Sequence, residues 1–157
     1  MTTSQAAAAT QPRIIVGVDG SDSAQAALRW AVRQAKLAGG RVEAVIAWHY
    51  PAVYGWETAG VDGDFEGDAR QALAEALAAV TGQEPDVPVV PLVTEGYPAD
   101  VLLHAAKGAD LLVLGSRGRG GVTSALLGSV SLHCVMHAHC PVLVLRELPS
   151  AIVGDGR

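Results

Sequence analysis

The sequence predicts an α/β fold, a doubly wound five-stranded parallel sheet with helices on both faces, on two observations. Five short runs of apolar, largely β-branched residues are continuous rather than alternating, so their strands have no polar side to turn to water and need cover on both faces. Between them lie stretches in which apolar residues recur at i, i+3, i+4 and i+7, the period of a helix with one buried side. The 157 residues suit a single domain, and half of them are hydrophobic, enough for a sizeable core.

The elements follow in order. Residues 1–12 have neither a basic n-region nor an apolar h-region and read as a disordered tail rather than a secretory signal. Arg13 to Asp19 is the first strand, closed by Gly20 and Ser21. Asp22 or Ser23 can cap the helix that follows, in which Ala24, Ala27, Leu28, Ala31, Val32 and Ala35 share one side until Gly39 and Gly40 stop it. Arg41 to Trp48 is the second strand, His49 to Asp68 a long loop, and Ala69, Ala72, Leu73, Ala76, Leu77 and Val80 the inner side of a second helix before Gly82. Val87 to Val93 is the third strand. Pro98 opens a third helix, with Val101, Leu102 and Ala105 facing inward before Gly108. Asp110 to Gly115 is the fourth strand. A fourth helix from about Leu126 to Ala138 has Leu126, Leu127, Val130, Cys134 and Val135 on one side, and Pro141 to Arg146 is the fifth strand. The domain therefore covers residues 13–146, and residues 147–157 form a flexible tail.

Composition excludes several functions. A net charge of −5 argues against wholesale binding of nucleic acid or an anionic membrane, and no apolar run approaches the roughly 18–20 residues of a membrane span. Cys134 and Cys140 are too few for a disulfide framework, so the expectation is two reduced thiols in a cytoplasmic protein. Together with His133, His137 and His139 they form either a metal-ligand cluster or a core thiol beside a helix end whose dipole favours imidazolium. The 49–68 loop holds Tyr50, Tyr54, Trp56 and Phe65 among acidic residues. It is either a lid over a ligand or a surface loop anchored by its aromatics, and its charge directs it away from phosphates.

Ligands of doubly wound sheets bind at the carboxyl ends of the strands. There the segment Gly115 to Ser129 carries five glycines, at 115, 118, 120, 121 and 128. Gly115 and Gly118 allow positive φ and close approach, aiming successive N–H groups into a nest that suits phosphate. Gly128 and Ser129 stand at the start of the fourth helix, where unpaired N–H groups and the dipole favour an anion. Arg117 and Arg119 add charge. The segment is neither a Walker loop, since Gly120-Gly121-Val122 replaces Gly-Lys-Ser/Thr, nor a dinucleotide fingerprint, since Thr123 stands where a third glycine belongs.

The spacing Gly115-x2-Gly118-x9-Gly128-Ser129 resembles the ATP-binding signature of the universal stress protein family. Its context matches too, with Val16-Gly-Val-Asp-Gly-Ser21, Gly108 to Gly115 and Cys140-Pro-Val-Leu-Val-Leu145. The resemblance implies an adenine nucleotide alpha hydrolase-like, Rossmann-like fold that binds ATP, AMP or another adenine nucleotide, with Mg²⁺ accompanying it. It implies Val18 and Asp19 near ribose and adenine, backbone groups of Trp48 toward the base, and Leu114 and Gly115 beside the sugar. Gly118, Gly128, Ser129 and Val130 would hold phosphates. It also implies a homodimer through the last strand, Val142, Leu143, Val144 and Leu145. From the residues alone, Asp19 either accepts from sugar hydroxyls or caps the first helix. No nucleophile stands beside a recognisable base, so hydrolysis of ATP would be slow. A nucleotide-independent interaction module on the same scaffold is the rival reading.

Overall fold

The computed structural model describes residues 10–51, 63–82, 84, 86–118 and 127–146. The order is β1 (Arg13–Gly17), α1 (Asp22–Ala38), β2 (Arg41–Trp48), α2 (Phe65–Thr81), β3 (Val89–Glu95), α3 (Pro98–Ala105), β4 (Leu111–Gly115), α4 (Ser129–His137) and β5 (Val142–Leu145). All strand pairs are parallel, in the order β3-β2-β1-β4-β5. The central strands are buried on both faces, as their uninterrupted apolar runs require. Ile14 and Val16 of β1 and Val18 just after it pack with α1 and α2, whereas Ile15 packs with α3 and α4. The sheet is thus covered on both faces.

In α1 the expected stripe is buried throughout. Its cap is Ser21 rather than Asp22 or Ser23. Gly20 turns at φ 81°, the Asp19 carboxylate accepts from the Ser21 amide at 2.8 Å, and Ser21 Oγ accepts from Ala24 N at 3.2 Å. The helix ends on Gly39 at φ 66°, a left-handed cap that glycine tolerates best. The loop after β2 is shorter than the sequence indicates. Asp64 caps α2, so Phe65, Glu66 and Asp68 are helical, and the two acids lie in the first turn where the dipole favours them. β3 begins at Val89 instead of Val87, because Pro88 has no N–H to give a ladder. α4 begins at Ser129, later than Leu126, which lies outside the described residues. It buries Ser131 and Cys134 and leaves Val135 exposed, against expectation. Burial pushes the Cys134 thiol up to about 11, so it acts as a small hydrophobe.

At the amino ends of the strands, Arg13 Nε and Nη2 donate to the two oxygens of Glu43 at 2.9 Å each, a bidentate pair of charge-assisted bonds. Hydrogen bonding from Arg13 lowers the Glu43 pKa from its ordinary value. A carboxyl lowered by folding contributes stability that is complete above its ordinary pKa and is lost as pH falls through the folded value. Glu43→Gln is expected to cost about 1–3 kcal/mol at neutral pH and to flatten the acid limb of the stability curve. Urea titrations between pH 7 and pH 3 check this, and parallel curves for variant and parent would refute it.

Candidate functional site

The strand order places β1 between β2 and β4, and the chain leaves β1 for one face of the sheet and β4 for the other. A crevice opens at such a switch point. It holds a cavity of about 540 Å³ at the carboxyl ends of β1, β2 and β4. Gly17, Val45, Ala47, Leu102 and Leu114 form an apolar wall, and Pro98 brings the start of α3 alongside. The opposite wall is polar: Asp19, Arg117, Gly118, Gly128, Ser129 and Ser131, with Val130.

Most residues expected from sequence converge here, and Val18, Asp19, Leu114, Gly115, Arg117, Gly118, Gly128, Ser129 and Val130 all line the cavity. Arg119 lies outside the described residues. Trp48 does not reach the cavity. Side chains alternate along β2, so Ala47 faces the cavity while Trp48 packs on the α1/α2 side and its carbonyl accepts from Gly96 N at 2.8 Å. Asp19 combines its two readings. One oxygen holds Ser21, the cap of α1, and the other faces Gly118, where an added Cβ would lie 3.1 Å from it.

The glycines serve differently from expectation. Neither Gly115 nor Gly118 has positive φ; the described glycines that do are Gly20, Gly39, Gly96 and Gly108. Gly115 ends β4 against the first turn of α1, where a Cβ would strike Ser23 Oγ and lie 2.7 Å from Ala24 N. Space, not backbone freedom, requires glycine there. Gly128 is the N-cap of α4 at φ −67°, ψ 162°, a conformation open to any residue, and an added Cβ would approach nothing among the described residues closer than 3.5 Å. Its amide donates to Ser116 O at 2.7 Å, so it is not free for a phosphate, contrary to the expectation for Gly128. The amides of Ser129, Val130 and Ser131 in the first turn have no partner among the described residues, and no described side chain caps this helix. Together with the exposed Arg117, which makes no ion pair among the described residues, they form a wall suited to an anion.

Gly17, Val45, Ala47, Pro98, Leu102 and Ser131 also line the cavity and were not singled out from sequence. For Gly17, Val45 and Ala47 the signal was the strand alternation counted back from the carboxyl ends of β1 and β2, which has meaning only once each face is known. Ser131 carries a further signal, its place in the first turn of α4, and its hydroxyl donates to Gly115 O at 2.7 Å.

Among the described residues no three His, Cys, Asp or Glu side chains are arranged to hold a metal. His133 stacks on His137 with centroids 4.4 Å apart, and His137 Nδ1 bonds to His133 O at 2.9 Å, the helix-end reading. Cys134 and Cys140 are unbridged. Aromatic edge contacts link Trp48 to Tyr50 and Tyr50 to Phe65, so the described ends of the 49–68 loop are anchored to the body. Tyr54 and Trp56, on which a lid would depend, lie outside the described residues. No helix among the described residues is long and apolar enough to cross a membrane.

A model of the universal stress protein family matches residues 12–146. A universal stress protein of Mycobacterium tuberculosis is 40% identical over 136 residues, covering 85% of this chain and 45% of that protein. The chain thus spans about half the length of the curated relatives it matches. The universal stress protein UspA from Lactobacillus plantarum is 28% identical, with a TM-score of 0.69 over 86% of this chain and 97% of that one. A universal stress protein solved in complex with cAMP shares the fold at a TM-score of 0.66 and 24% identity, over 85% of this chain and 96% of its own. With the family model matching from before β1 to just beyond β5, the chain belongs to the universal stress protein family.

Proposed function

We propose that the protein binds an adenine nucleotide in the cavity at the switch point. The observation that carries this reading is the first turn of α4, which turns amides without described partners onto a cavity whose other wall is apolar. Phosphate sits against the Ser129 and Val130 amides with the Ser129 hydroxyl and Arg117, and the Gly118 amide completes the cradle. The base lies toward Val45, Ala47 and Pro98, and Asp19 accepts from the ribose. The same fold carries cAMP in one solved protein, so an adenine nucleotide suits the architecture. The helix dipole supplies only about 0.3–2 kcal/mol, whereas micromolar affinity needs about 8 kcal/mol. Base burial and several charge-assisted bonds therefore contribute together.

ATP is the ligand that uses most of the polar wall. Asp19 is the one carboxylate among the described lining residues, so Mg²⁺ would arrive held chiefly by the phosphates. Bound nucleotide would bias a dimer formed through β5, whose Val142, Leu143, Val144 and Leu145 pair with β4 on one side only. The role is regulatory binding rather than turnover, with hydrolysis at most slow.

Calorimetric titration with ATP, AMP and cAMP tests the reading. At least one is expected to bind at micromolar concentration, and Asp19→Asn, which keeps an acceptor for Ser21 N, is expected to weaken it about tenfold. Absence of binding by all three would overturn the assignment.

A further inference from the structure

Three side chains among the described polar residues are buried, Ser23, Ser116 and Ser131, and all lie where β4 runs into the glycine segment. Ser23 is 4% exposed. Since Ser21 caps α1, Ser23 is released from that task and its hydroxyl donates instead to the carbonyl of Arg117 at 2.6 Å, across 94 residues of chain. Ser21 Oγ adds a longer contact to the same carbonyl at 3.4 Å.

This bond has a directional consequence. The Arg117–Gly118 peptide is trans, as are all the described peptides, and in a trans peptide the carbonyl and the following N–H point in opposite directions. Pinning the Arg117 oxygen toward α1 therefore turns the Gly118 N–H away from α1. Gly118 lines the cavity, and its nitrogen lies 3.5 Å from the position a Cβ on Gly128 would take, at the mouth of α4. Without the bond the peptide is free to rotate its amide toward solvent, because Arg117 and Gly118 are exposed.

We propose that Ser23 is a positioning residue for the phosphate half of the nucleotide site: by holding the Arg117 carbonyl it aims the Gly118 amide at the anion bound by α4. The inference rests on the nucleotide reading above and adds to it a residue that touches no ligand. Its effect is selective by ligand. Adenosine lacks the phosphate that the Gly118 amide would meet, so it is indifferent to Ser23, whereas AMP and ATP are not.

The test is titration of parent, Ser23→Ala and Ser23→Thr proteins with adenosine, AMP and ATP, with thermal midpoints recorded alongside. Ser23→Ala is expected to weaken AMP and ATP about 5- to 10-fold and adenosine by less than about twofold, and Ser23→Thr to restore phosphate affinity through its hydroxyl. A uniform loss across the three ligands would assign Ser23 a merely structural role, and no loss would remove any role. Independently of any variant, the Gly118 amide proton of the parent protein should move downfield in nitrogen–proton correlation spectra with AMP and stay still with adenosine; equal movement with both overturns the inference. A parent protein that takes none of the three ligands instead refutes the nucleotide reading, and this inference falls with it.

Discussion

Gly128→Asp is expected to leave the thermal midpoint unchanged or raise it by about 1 °C while weakening ATP and AMP at least about 100-fold. The two effects separate because the fold does not require glycine here. Its dihedral angles suit any residue, and a Cβ would meet only ordinary contacts among the described residues. Aspartate is among the best N-caps and gains a few tenths of a kcal/mol over glycine, which moves the midpoint of a chain this size by about 1 °C. The same carboxylate would occupy the first-turn amides that a phosphate needs and place a like charge beside it. At about 4 Å and an effective dielectric constant near 20, that repulsion is about 4 kcal/mol, and partial exposure of the site reduces it. Calorimetry and thermal denaturation on one preparation decide the matter. Unchanged ATP affinity would remove phosphate from the mouth of α4, and a midpoint several degrees lower would show that the glycine serves the fold.

What the sequence made legible follows from periodicity. The stripe Ala24, Ala27, Leu28, Ala31, Val32, Ala35 is wholly buried because α1 packs against β1, β4 and β5 and hides a full side. The prediction was weaker for α4, where Val135, grouped with Val130 and Cys134 on one side, is exposed, since a short helix near the edge of the sheet is covered along a narrow strip and Val135 lies about 100° around from Cys134. Of the site, the glycine segment and Asp19 were legible, because five glycines between positions 115 and 128 exceed what an ordinary turn needs and both features fall at strand carboxyl ends, where doubly wound sheets bind ligands. Less legible was what depends on distant segments meeting. The bond from Ser23 to Arg117 has no local signature. The substitution of Ala47 for Trp48 at the cavity turns on which face of β2 meets α3, and periodicity alone gives both faces the same apolar pattern. Glycine itself is ambiguous in sequence, since a need for positive φ and a need for space look alike. Gly20 is the first kind and Gly115 the second.

That second kind carries the largest expected loss of stability. Gly115→Ala is expected to cost about 3 kcal/mol and to lower the thermal midpoint by roughly 6–12 °C. The new methyl would strike Ser23 Oγ and come within 2.7 Å of both Ala24 N and the Ser23 carbonyl carbon, and backbone cannot swing aside as the end of a side chain can. Moving β4 away strains its register with β5, where Gly115 itself pairs with Leu145. Moving α1 away disturbs its cap and uncovers Leu28 and Val32, which are fully buried against the sheet. Gly17 offers the internal comparison. Its added Cβ would meet the terminal methyls of Leu114 and Leu102 at 2.9–3.3 Å, groups on rotatable side chains, so Gly17→Ala should cost less than Gly115→Ala. Urea unfolding of the two variants ranks them. A Gly115→Ala protein within about 0.5 kcal/mol of its parent would mean that β4 and the first turn of α1 are not in contact, and the wall that Ser23, Arg117 and Gly118 build beside the cavity would lose its support.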